Sequence, residues 1–133
     1  TAELRAEERA RGKAMTSLLV QLEVAGAAEL RETLRLCQAA GFALAASRWG
    51  VSLEEAATGY AWTWLENLVL AGVKLIPLGQ TAGQRLSLAL GAKIPAAVNH
   101  GLGLADPAIG ASAPAAALAS SLHETQYTRL FRS

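Results

Sequence analysis

Two histidines, His100 and His123, and a single cysteine, Cys37, are the side chains of this 133-residue chain best suited to chemistry near neutral pH. A zinc or nickel centre needs at least three convergent nitrogen, sulfur or carboxylate ligands. His123 is followed by Glu124, and helical neighbours project about 100° apart, so the two do not share a face. Each histidine therefore reads as a surface or interface residue. The alternative is a small helical metal-binding protein or enzyme using His100 and His123. Cys37 falls in the middle of a helical pattern on its apolar face and reads as an inert core thiol. One cysteine also excludes an intrachain disulfide. Of the carboxylate pairs, Glu7-Glu8 reads as a solvated helix face and Glu54-Glu55 as a helix start. The serines lie in alanine-rich stretches without a G-x-S-x-G elbow. Gly79 to Gly83 and Gly101 to Gly103 lack the GK[ST] and the preceding strand of a phosphate loop. The expectation is a chain that is not an enzyme and binds no cofactor.

The composition says what must position these residues. Hydrophobic residues make up 52% and charged residues 17%, against about 25% charged in an ordinary soluble domain. Alanine and leucine dominate and β-branched residues are few, which favours closely packed helices. The apolar excess points to a partner or self-association face. A net charge of +1 supplies no field to draw the chain to nucleic acid or an anionic membrane. A helix-turn-helix around Gly50 would read DNA with residues 52 to 71, which contain no arginine or lysine. The weakly charged run from Gly101 to Leu122 carries Pro107 and Pro114 and makes a poor membrane span. With a charged opening rather than an apolar one, no signal peptide is expected. The expectation is a soluble, cytoplasmic protein.

Periodicity predicts an all-α chain, a compact bundle of about five to six helices. The first runs from Ala2 to Glu23, burying Met15, Leu18, Leu19 and Leu22, with Gly26 ending it. The second runs from about Ala28 to Arg48, where Ala40, Gly41 and Ala45 allow a neighbour to approach closely. Gly50 punctuates its end. Ser52 and Glu55 form a capping box for the third helix, whose stripe is Ala57, Tyr60, Ala61, Trp64, Leu68 and Ala71. Trp62 lies off that stripe and faces another helix or a partner. Trp49, Trp62 and Trp64 are expected in the core or at its edge. Pro77 and Gly79 break the pattern. A fourth helix covers Gln80 to Leu90, with Ala82, Leu86 and Leu90 inward, and a fifth Ile94 to about Leu104. Asp106-Pro107 is a turn, and Pro114 to Glu124 is a last helix. Residues 1–124 would form one helical domain and 125–133 a polar, aromatic and basic tail.

The run from Gly72 to Leu86, GVKLIPLGQTAGQRL, resembles a hallmark stretch of the UreF family of urease accessory proteins. So do IGASAP at residues 109 to 114, the end HETQYTRLFRS from His123 to Ser133, and the opening ELRAEE at residues 3 to 8. The resemblance spans the whole chain in order and covers the C-terminal portion of the family's chain, whose N-terminal helical portion is absent from this sequence. It implies an all-helical UreF-like fold, incomplete here, and a non-catalytic role in urease maturation and nickel insertion. Family members form homodimers when the full chain is present. They bind UreD (UreH), recruit the GTPase UreG and modulate its GTP hydrolysis, and so serve the urease apoprotein.

The residues expected to make protein contacts in that role are Lys74, Arg85, His123, Glu124, Tyr127, Arg129, Phe131 and Arg132. Lys74 reads either as an interface lysine or as one laying its stem along the helix surface. Arg85 would pair with an acidic group on a partner or with Glu66. The aromatic and arginine mixture of the tail is typical of binding hot spots. The resemblance implies that the tail orders on UreD/UreH, with Arg129 shaping the UreG-docking surface; the other reading is a frayed terminus.

Overall fold

A computed structural model describes residues 1–76, 78–110 and 113–127. They form seven α-helices, α1 (Ala2–Gln21), α2 (Arg31–Leu34), α3 (Gln38–Arg48), α4 (Leu53–Leu75), α5 (Gln80–Gly91), α6 (Ile94–Leu102) and α7 (Pro114–Glu124), with a 3₁₀ turn at Asp106–Ala108. No strand occurs among the described residues, so the chain is all-α as expected. It divides into two units, one of Thr1–Gly41 with the described residues from Gly110 onward, the other of Phe42–Ile109.

In the first unit the core is built from Leu19, Val24, Ala27 and Leu34, with Gly12 and Thr16 also buried. The Thr16 hydroxyl donates to the Gly12 carbonyl at 2.7 Å, which satisfies it inside the helix. The buried stripe of α1 is thus Gly12, Thr16 and Leu19, rotated from the expected one: Leu18 and Leu22 are exposed. Helix α1 also ends early. Glu23 adopts φ 54°, its N–H donates to Val20 and the Val24 N–H to Leu19, a Schellman cap with a glutamate at the left-handed position. Gly26 shapes the turn that follows rather than the helix end.

The helix expected from Ala28 to Arg48 is two helices. The chain leaves helical geometry around Cys37, and the reason lies on α1. A Cβ on Gly12 would stand 2.8 Å from the Arg35 carbonyl oxygen and 3.0 Å from the Cys37 nitrogen, so main chain rests directly on that glycine. Glu8 then reaches across, its Oε1 accepting the Gln38 N–H at 2.8 Å. A carboxylate at the first N–H groups of α3 offsets both their missing partners and the helix dipole. Cys37, expected mid-helix, is a half-buried residue of this break. Close approach at Gly41 is present: a Cβ there would meet Met15 Cγ at 2.7 Å.

In the second unit, Gly50 (φ 69°) closes α3 through a Schellman cap, Gly50 donating to Ser47 and Val51 to Ala46. Ser52 starts α4: its hydroxyl accepts the Glu55 N–H, and the Glu55 carboxylate accepts the Ser52 N–H at 3.0 Å. The predicted capping box is therefore formed. Leu65 and Val69 of α4 pack with Ile94 and Val98 of α6, flanked by Ala57, Ala61 and Val73. Each such aliphatic side chain contributes about 1.5–3 kcal/mol on burial. Phe42 and Tyr60 meet edge to face at 5.3 Å. Helix α5 approaches α4 over glycines: a Cβ on Gly83 would stand 2.6 Å from Val73 Cγ2, and one on Gly91 2.7 Å from Trp62 Cζ3. The buried residues of α5 are Gly83 and Ser87, not the expected Ala82, Leu86 and Leu90.

Candidate protein-interaction site

Helix α4 has two apolar faces, and only one is covered. Leu65 and Val69 make the packed seam. About 100° round the axis lie Leu53, Trp64, Leu68 and Leu75, which expose 71, 58, 51 and 51% of their surface. Sequence periodicity favoured the Trp64–Leu68 stripe as core, and the helix instead turns it outward. The glycines of α5 decide this, because they let Trp62 and Val73 serve as the contact side. Trp49 is also largely exposed, and Trp62 is 40% exposed. The three tryptophans expected in or at the core are thus mainly surface residues. Trp62 meets α5, as one of its two expected positions required.

Lys74 is exposed in the last turn of α4, where a cation complements the carbonyl end of the helix. Arg85 is exposed on α5, and no ion pair among the described residues joins it to Glu66. Tyr127 is fully exposed. Arg129, Phe131 and Arg132 lie outside the described residues.

His123 and Glu124 both meet the beginning of α1. His123 Nδ1 lies 2.7 Å from Glu3 Oε2. The Glu124 carboxylate accepts the Glu3 N–H at 3.0 Å, and Ser120 and Thr1 share a hydrogen bond of 2.8 Å. The Glu3 N–H, with help from Ala2 and Thr1 against a smaller burial effect, holds the Glu124 carboxyl below the ordinary glutamate range. A carboxylate from the last helix therefore caps the N-terminus of the first. The sequence offered no sign of this contact: Glu3 and Glu124 are 121 residues apart, and Glu3 stands among charges that read as a solvated face. Helix α7 buries no residue, so these polar contacts carry much of its attachment.

His100 is exposed on α6 of the second unit, while His123 sits on α7 of the first. Among the described residues no group of three histidine, cysteine, aspartate or glutamate side chains is placed to hold a metal ion. No described helix is long and apolar enough to cross a membrane.

An all-α chain whose polar specialists cap helices, and whose surplus apolar surface faces outward, defines a helical protein rich in exposed contact surface. The model of the UreF family matches residues 1–91. A urease accessory protein UreF from Alcanivorax borkumensis is 50% identical over 139 residues, covering 100% of this chain and 61% of its own length. One from Pseudomonas putida strain GB-1 is 49% identical over 133 residues, covering 100% of this chain and 59% of its own length. One from Escherichia coli O157:H7 is 44% identical across the same 133 residues, again 59% of its own length. No solved structure matches the chain. The chain belongs to the UreF family, and it spans about 60% of the length of these curated relatives.

Proposed function

We propose that this chain acts in urease maturation as a non-catalytic adaptor. The observation that carries the reading is 50% identity across the whole chain to a relative named urease accessory protein UreF. The outward stripe of Leu53, Trp64, Leu68 and Leu75 supports it, since a contiguous apolar face of this kind suits recognition of other proteins. In this reading the adaptor joins UreD/UreH to the GTPase UreG, modulates GTP hydrolysis by UreG, and serves nickel insertion into the urease apoprotein. It works in the cytoplasm, as a homodimer where the family's full length is present, and needs no cofactor of its own.

The contacts are assigned to Lys74, Arg85, Tyr127 and the tail through Arg129, Phe131 and Arg132. His123 and Glu124 hold the base of that tail at the start of α1. The test is co-purification with UreD/UreH. Deleting Thr125 to Ser133 abolishes it while helical content by circular dichroism stays nearly unchanged. Full recovery of the partner by the truncated chain would overturn the assignment of the tail. Lys74→Ala alters UreG recruitment without unfolding the chain, and unchanged recruitment would remove Lys74 from the interface.

A further inference from the structure

Between α4 and α5 lies an open groove of about 130 Å³, lined by Trp62, Glu66, Val69, Leu70 and Val73 on one side and Gln80, Gly83, Gln84 and Ser87 on the other. A small-molecule or cofactor site usually encloses about 300–1,000 Å³, so this groove is sized for one side chain rather than a nucleotide. Its one formal charge is negative, and the other polar groups of the lining can accept as well as donate. Glu66 is the only charged residue in the lining. It makes no ion pair or hydrogen bond among the described residues, and neither do the side-chain amides of Gln80 and Gln84. Glu66 stands one helical turn from Trp62, so carboxylate and indole lie on one face of α4. Gly83 keeps the groove open: a side chain there would run into Val73.

We infer that this groove is a socket for one arginine side chain presented by a partner protein. A guanidinium offers a planar fork of donors to a carboxylate and remains charged at any pH of interest. It also gains from an aromatic neighbour such as Trp62. Its methylene stem suits the apolar wall of Val69, Leu70 and Val73, and the glutamine carbonyls accept the remaining N–H groups. A lysine would satisfy Glu66 as a point charge but leave the fork geometry unused, and an apolar side chain would leave the carboxylate unanswered. The socket belongs to α4 and α5 and stands whether or not the urease-maturation reading does.

The test is a titration of the ¹⁵N-labelled protein with N-acetyl-arginine amide, followed by NMR. Saturable shifts are expected at the Trp62 indole N–H and the Gln80 and Gln84 side-chain amides. N-acetyl-lysine amide should bind more weakly, and N-acetyl-norleucine amide should produce no matching shifts. Glu66→Gln changes an exposed side chain, so the fold is retained, and loss of the charge-assisted pair should weaken binding about tenfold. Absence of localised shifts, equal shifts with norleucine amide, or unchanged binding in Glu66→Gln would each overturn the proposal.

Discussion

The Glu124 carboxylate accepts the main-chain N–H of Glu3 at 3.0 Å, so the last described helix caps the first. The same N–H holds the Glu124 carboxyl below its ordinary range. A folded-state pKa below the unfolded one gives stability that is present above the unfolded value and lost as pH falls through the folded one. Glu124→Gln should therefore speed amide hydrogen exchange in α7 and the first turn of α1 at neutral pH. The difference between variant and wild type should shrink as the medium becomes acidic enough to protonate Glu124. Equal exchange at neutral pH would show that the contact does not hold α7.

Glu23 occupies the left-handed cap of α1 at φ 54°. That conformation costs a residue with a Cβ roughly 1–2 kcal/mol, and glycine avoids most of it. Glu23→Gly should raise the free energy of unfolding in urea by about 1 kcal/mol, and Glu23→Val should lower it. A decrease on Glu23→Gly would mean the glutamate side chain contributes more than the backbone strain takes away.

Two helical glycines should respond in opposite directions to alanine. At Gly12 the new methyl would press on the Arg35 carbonyl, which is main chain and cannot rotate aside. Overpacking of that kind costs about 1–3 kcal/mol. At Gly72 nothing lies within 4 Å of the new Cβ, so the gain in helix propensity, up to about 1 kcal/mol, should dominate. Thermal melts of the two single variants decide the matter.

Ser52→Ala removes the cap of α4 and should cost about 1 kcal/mol. The Ser52 hydroxyl, followed by the Ser52 N–H, keeps the Glu55 carboxyl below the ordinary range. By the same sign rule, the contribution of Glu55 is complete above that range and disappears in acid. A pH series on Glu55→Gln should converge with wild type at low pH, and parallel curves throughout would rule the capping box out as the cause.

How much of this was legible depended on whether the cause was local. The Ser52–Glu55 box, the break between α4 and α5 and the Pro114–Glu124 helix each follow from residues a few positions apart, and sequence spacing located them. The break near Cys37 did not, because its cause is Gly12 on another helix together with the reach of Glu8. On α4 the pattern was ambiguous in principle: apolar residues cover two faces, and spacing alone cannot choose between Leu65–Val69 and Trp64–Leu68. The choice was made by Gly83 and Gly91, which present no side chain and so leave no mark in a hydrophobic pattern. Of the residues proposed for partner contacts, Lys74 and Arg85 are exposed in keeping with their polar character, whereas the meeting of His123 and Glu124 with Glu3 required tertiary structure.

The first unit is discontinuous, with Thr1–Gly41 emerging from the ribosome well before the residues from Gly110 onward. Synthesis proceeds at roughly 5–20 residues per second, so α1 waits several seconds for its cap from Glu124. During that interval the contiguous segment Phe42–Ile109 has all its own helices and can organise first. Until Glu124 has been made the first turn of α1 lacks that carboxylate, and a stop codon just before Glu124 would leave it uncapped from that side.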